Sequence, residues 1–77
     1  MPHVEIKCFP GRSDEVKAEC AKKVALAIAE TLGCEEKSVS VAIKDVAKED
    51  WKKKVWDEAI VPDKKYLYKR PGYSCGE

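Results

Sequence analysis

The feature that most restricts this chain is a helical stripe set between two strand-like runs. Val16, Cys20, Val24, Ile28 and Leu32 recur every four residues, with Ala21, Ala25 and Ala29 beside them. That is the apolar spacing of one helix face. Ser13 or Asp14 supplies an N-cap, Asp14 and Glu15 suit the positive end of the dipole, and Gly33 suits the C-terminal end. Ahead of the helix, Val4, Ile6 and Cys8 alternate with Glu5 and Lys7; behind it, Val39, Val41 and Ile43 alternate with Ser38, Ser40, Ala42 and Lys44. Such alternation is strand patterning. Pro10, Gly11 and Arg12 break the first run. A strand over Pro2–Phe9, a helix of about five turns and a second strand therefore form a β-α-β unit. Units of this kind are parallel with a right-handed crossover in about 98% of cases. The expected class is α/β, with two parallel strands, one long helix and a short helical C-terminal segment.

That last segment is patterned more weakly. Trp51, Val55, Ala59 and Ile60 fit a short amphipathic helix with Asp50 as its cap, and Pro62 opens a further turn carrying Tyr66, Leu67 and Tyr68. Arg70, Pro71, Gly72 and Tyr73 mark a turn, followed by an extended tail. No repeat or low-complexity stretch divides the 77 residues, so residues 1–77 are expected to form a single domain.

A chain this short buries only about 60% of its unfolded surface, and small domains make up the deficit with disulfides, metals or oligomerisation. Cys8, Cys20, Cys34 and Cys75 contain no C-x-x-C pair. No signal peptide precedes them, so reduced thiols in a cytoplasmic protein are expected. Nothing in the spacing of His3 and the cysteines suggests a zinc site, and no metal or cofactor is expected. No run approaches the roughly 20 apolar residues of a membrane span. A net charge of +1 gives no sign of a nucleic-acid or membrane-surface partner. Self-association is the remaining route to more core, because one helix covers only one face of a two-stranded sheet.

Pro2 sits at the mouth of the first strand, where it can give no amide hydrogen to a ladder. It either starts the strand or, once Met1 is removed, becomes a free secondary amine. The stretch from Pro2 to Trp51, about two-thirds of the chain, resembles the tautomerase superfamily typified by 4-oxalocrotonate tautomerase. The resemblance rests on the proline behind Met1, the β-α-β unit of matching length and the run GRSDE from Gly11 to Glu15. The C-terminal part, with PGYS from Pro71 to Ser74, is similar to the bacterial PptA-type phenylpyruvate tautomerases.

The resemblance implies a mechanism and a set of residues. Pro2 would act as general base and then general acid, shuttling a proton between the oxygen and carbon ends of an enol. A free α-amino group titrates at about 7.7–8.0; an apolar pocket and a nearby cation both lower that value, which suits the task. Arg12 would hold the substrate carboxylate through two parallel hydrogen bonds, beside the anion-favouring start of the helix. Trp51 stands where the family places an aromatic wall. Ser40 stands where the oxalocrotonate enzyme has a second arginine, and serine supplies no positive charge. That departure argues against a dicarboxylate and for a monocarboxylate enol of a 2-oxo acid, such as phenylenolpyruvate. Lys44 or Arg70 are the other cations open to replace the missing arginine.

His3 reads as an exposed or interface histidine, because neighbouring strand residues point to opposite faces. Trp56 reads as packing or interface, and the lysines at 52–54 and 64–65 as solvated surface. A homodimer is expected, with the hexamer of the oxalocrotonate enzymes as the other assembly. Two further readings stand beside the tautomerase: a hydrolase or dehalogenase on the same scaffold, and a non-enzymatic oligomeric interaction protein in which Pro2 only starts a strand.

Overall fold

The computed structural model describes residues 1–75. The chain forms two compact units, Met1–Asp45 and Val46–Glu77. The first is the expected β-α-β unit: strand β1 (His3–Cys8), helix α1 (Asp14–Leu32) and strand β2 (Ser40–Asp45), the strands paired in parallel.

Local chemistry sets each boundary of this unit. Gly11 carries the chain out of β1 at φ 125°, a backbone conformation that a side chain would strain. The Ser13 hydroxyl accepts the Val16 amide at 3.2 Å and caps α1, with Asp14 and Glu15 in the first turn. Gly33 ends the helix in the left-handed region, φ 71° and ψ 46°, where its amide bonds the Ala29 carbonyl. Ser38 was expected inside the second strand. Instead its amide and hydroxyl both bond the Glu35 carbonyl, at 3.0 and 2.8 Å, which closes a 3₁₀ turn over Glu36–Ser38 and delays β2 to Ser40.

The apolar stripe of α1 is only partly the covered face. Lys17, Ala21, Val24, Ala25, Ile28 and Ala29 are half-buried, while Val16, Cys20 and Leu32 are exposed. A strict four-residue repeat advances roughly 40° per step around a helix of 3.6 residues per turn. The stripe therefore winds off the covered face at both ends. Lys17 reaches Asp45 at 2.9 Å, so α1 lies on the sheet face that carries Val4, Ile6, Val41 and Ile43. The opposite face carries His3, Glu5 and Lys7 in register with Ser40, Ala42 and Lys44.

The second unit opens with a 3₁₀ turn over Lys48–Asp50 and continues as helix α2 (Lys52–Ile60), which is wound as a π-helix. Its last bond, from the Val61 amide to the Trp56 carbonyl, spans five residues, and so does the Lys52–Asp57 ion pair at 3.1 Å. Asp50 does not cap it. No side-chain cap is present, and the Asp50 carboxylate faces Lys54 at 3.5 Å, one turn along. A further 3₁₀ turn spans Lys64–Tyr66, after Pro62. Val55 and Trp56 are the buried hydrophobic residues among those described. No described helix is long and apolar enough to cross a membrane. Cys8, Cys20, Cys34 and Cys75 are free thiols.

Candidate active site

The start of β1 brings Pro2, His3 and Ser40 together. Pro2 has no amide hydrogen, but its carbonyl accepts the Ser40 amide at 3.1 Å, which ties it to the first residue of β2. Ahead of it Met1 is fully exposed, at 103% of its reference area. His3 and Ser40 are register partners, and the His3 Nδ1 lies 2.6 Å from the Ser40 Oγ. A parallel register places the two side chains on one face of the sheet. This contact links a residue expected to be merely exposed to the position where the second arginine is missing.

Farther along that face, Glu5 accepts Lys44 at 2.9 Å and Lys7 at 3.7 Å. The hydrogen bond and charge of Lys44, then Lys7, hold the Glu5 carboxyl below its ordinary value. Lys44 is thus engaged by a carboxylate rather than held free as a substitute cation.

Arg12 is at the other end of β1. Its Nη1 donates to the Phe9 carbonyl at 3.2 Å, folding the guanidinium back over the Pro10–Gly11 turn. Seven residues of extended chain, at about 3.3 Å each, put that carbonyl roughly 20 Å from Pro2. Within one chain Pro2 and Arg12 therefore lie too far apart to touch the same small molecule.

Trp51 belongs to the second unit, where its indole Nε1 donates to the Tyr73 hydroxyl at 3.2 Å. The Tyr73 ring lies 5.6 Å from that of Trp56, tilted by 45°. Tyr73 thereby holds the PGYS segment against both tryptophans. Of the turn expected at Arg70–Tyr73 only a bend at Gly72 is formed, and its tyrosine is an anchor rather than the start of a free tail. A cleft of about 430 Å³ is lined by Trp56, Ile60, Leu67, Arg70 and Tyr73, among others. Arg70 thus lies on an apolar wall within this unit, and no ion pair engages it among the described residues.

Two contacts were not legible in the sequence. The His3–Ser40 pair depends on strand register, and the alternation of β1 and β2 alone does not fix which residues sit opposite. The Tyr73 clasp joins residues 22 and 17 positions apart, to Trp51 and Trp56; the aromatic residues at 51, 56 and 73 were its one signal.

A family model described as "Tautomerase enzyme" matches residues 2–54. The chain is 48% identical over 75 residues to "Tautomerase PptA" of Enterobacter sp. (strain 638), covering 96% of this chain and 99% of that protein. It is 40% identical over 75 residues to the protein of the same name from Escherichia coli O139:H28 (strain E24377A / ETEC), at the same coverage of both chains.

Proposed function

The chain belongs to the tautomerase family and is an isomerase of that class, and from this premise we propose that it interconverts keto and enol forms of a 2-oxo monocarboxylate, with Pro2 as the proton carrier. The observation that carries the proposal is the placing of Pro2 at the strand mouth, behind a fully exposed Met1 and bonded through its carbonyl to Ser40. An exposed methionine ahead of a small residue suits aminopeptidase removal, and the product is a free prolyl amine.

The neutral amine takes the enol hydroxyl proton and returns it to the adjacent carbon. One O–H bond breaks and one C–H bond forms, the C=C bond becomes single as the C–O bond becomes double, and no electrons leave the substrate. Negative charge grows on the 2-oxygen during this transfer, so a donor aimed there accelerates the step. Arg12 anchors the carboxylate, and Trp51 keeps the aromatic role that the resemblance implies for it.

The separation of Pro2 from Arg12 along β1 supports a shared site in which Pro2 of one subunit works with Arg12 of the partner subunit. It also supports a homodimer, which we place in the cytoplasm. The Ser40 position supports a monocarboxylate, such as phenylenolpyruvate, over a dicarboxylate.

Mass spectrometry of the purified protein should show Met1 removed. Pro2→Ala should slow ketonisation of phenylenolpyruvate by about 10²-fold or more. Undiminished turnover would remove Pro2 from the mechanism. Mixing Pro2→Ala with Arg12→Ala subunits should restore roughly a quarter of the wild-type rate, since half of randomly formed dimers carry one intact shared site. No recovery after verified exchange would place both residues in one chain's site.

A further inference from the structure

We propose that His3 is a positioning residue that sets the direction of the Ser40 hydroxyl, and that Ser40 donates a hydrogen bond to the substrate 2-oxygen when the His3 Nδ1 carries a proton. The inference deepens the tautomerase reading and rests on it.

The argument starts from a count of hydrogens. Ser40 has a single hydroxyl proton, and its Oγ lies 2.6 Å from the His3 Nδ1. A hydrogen bond that short uses one proton, and either atom can provide it. If Nδ1 is bare, the hydroxyl spends its proton on the imidazole and turns lone pairs outward. Those lone pairs repel an oxygen that is gaining negative charge. If Nδ1 is protonated, it donates to Oγ and frees the hydroxyl proton for the substrate. When Nε2 is protonated as well, the pair supplies a donor backed by a cation, a partial replacement for the arginine that Ser40 lacks.

The surroundings allow the exchange. The Ser40 amide is fixed to the Pro2 carbonyl at 3.1 Å, so the hydroxyl is carried by the residue paired to the reagent's own backbone. His3 and Ser40 are both exposed, so neither is locked by packing. The charged groups on the same face are Glu5 and Lys7 from β1 and Lys44 from β2, and the ion pairs of Glu5 with both lysines bring those charges together beyond His3. From α1, Lys17 is paired with Asp45 on the opposite face. Ser40 is thus the polar partner of the imidazole in this unit. A proton on Nδ1 strengthens the donor, whereas the Pro2 amine must be free of its own proton to act as base. The two requirements oppose each other and give a maximum in rate.

The test compares processed wild-type protein with Ser40→Ala, His3→Asn, the His3→Ala/Ser40→Ala pair and Pro2→Ala, by ketonisation of phenylenolpyruvate between about pH 5 and 8. The asparagine amide places a permanent N–H donor near the Nδ1 position. Ser40→Ala should lower kcat about tenfold with KM nearly unchanged, as for a donor used mainly in the transition state. His3→Asn should hold kcat near its low-pH value and remove the histidine-dependent fall in kcat as pH rises. The double variant should be no slower than Ser40→Ala. Wild-type kcat in Ser40→Ala, or a His3→Asn profile that superimposes on wild type, would overturn the proposal. If Pro2→Ala is inactive in the same experiment, the tautomerase mechanism survives that failure. If Pro2→Ala is fully active, the mechanism itself falls.

Discussion

Tyr73 offers a quantitative test of how the second unit holds the proposed pocket wall. It makes two separable contacts: its hydroxyl receives the Trp51 indole N–H at 3.2 Å, and its ring lies 5.6 Å from that of Trp56. Tyr73→Phe removes the first and keeps the second. The lost bond is at the long end for N–H···O and partly exposed, so about 0.5–1 kcal/mol is expected. Tyr73→Ala removes both. Tyr73 is 48% exposed, so about 100 Å² of an aromatic side chain's surface returns to water, worth at most about 2.5 kcal/mol. An aromatic pair within the favourable centroid range adds about 0.5–1.5 kcal/mol. The expected cost of Tyr73→Ala is therefore at most about 3.5–5 kcal/mol, several times that of the phenylalanine variant. Urea unfolding followed by tryptophan fluorescence measures both, at one fixed protein concentration because self-association would shift the midpoint. Equal costs for the two variants would refute the reasoning, as would a cost below about 1 kcal/mol for alanine.

Ser13→Ala should cost about 1 kcal/mol in the same assay, because the Val16 amide loses its side-chain acceptor at the start of α1; an unchanged midpoint would show that water replaces the cap fully. Titration provides a third check, with opposite signs at the two pH extremes. Glu5 is held below its ordinary value by Lys44, so its contribution is present above the unfolded carboxylate pKa and lost as pH falls through the folded one. Lys17 is raised above 10.5 by its hydrogen bond to Asp45, so its contribution is present below that value and lost as pH rises through the folded pKa. Glu5→Gln should therefore flatten the acid side of the stability profile, and Asp45→Asn the alkaline side; a wild-type profile in both variants would contradict both ion pairs.

How much of this molecule was legible in the sequence depends on the range of the interaction involved. Ser13, Gly33 and the alternating strand residues act within a turn or a strand, and the structure keeps those elements where the pattern put them. Errors arose where local hydrogen bonding competed with pattern. Ser38 turned back to Glu35 instead of extending β2, and Asp50 turned to Lys54 instead of capping α2. The stripe of α1 was also read too literally, since its fourfold repeat carries Val16 and Leu32 out to exposure. Both exposed residues leave the first unit with apolar surface that a small chain commonly covers by association.

The candidate site divides along the same line. Pro2 and Arg12 were legible as residue types one strand-length apart, and β1 turns that spacing into a distance. Six paired residues turn a sequence gap into roughly 20 Å, and this span makes a shared site the economical arrangement for a small substrate. Ser40 was read as a loss, a neutral group where a cation was expected. Register changes what the loss means, because the same pairing that joins Ser40 to the Pro2 carbonyl also brings His3 within 2.6 Å of its hydroxyl. A fixed guanidinium would stabilise anionic oxygen at every working pH. On the proposed reading, a serine governed by an imidazole does so conditionally, and the condition is set by His3, next to the proposed proton carrier. That reading exchanges affinity for a second carboxylate for dependence on the His3 proton, which is the property the His3→Asn profile measures.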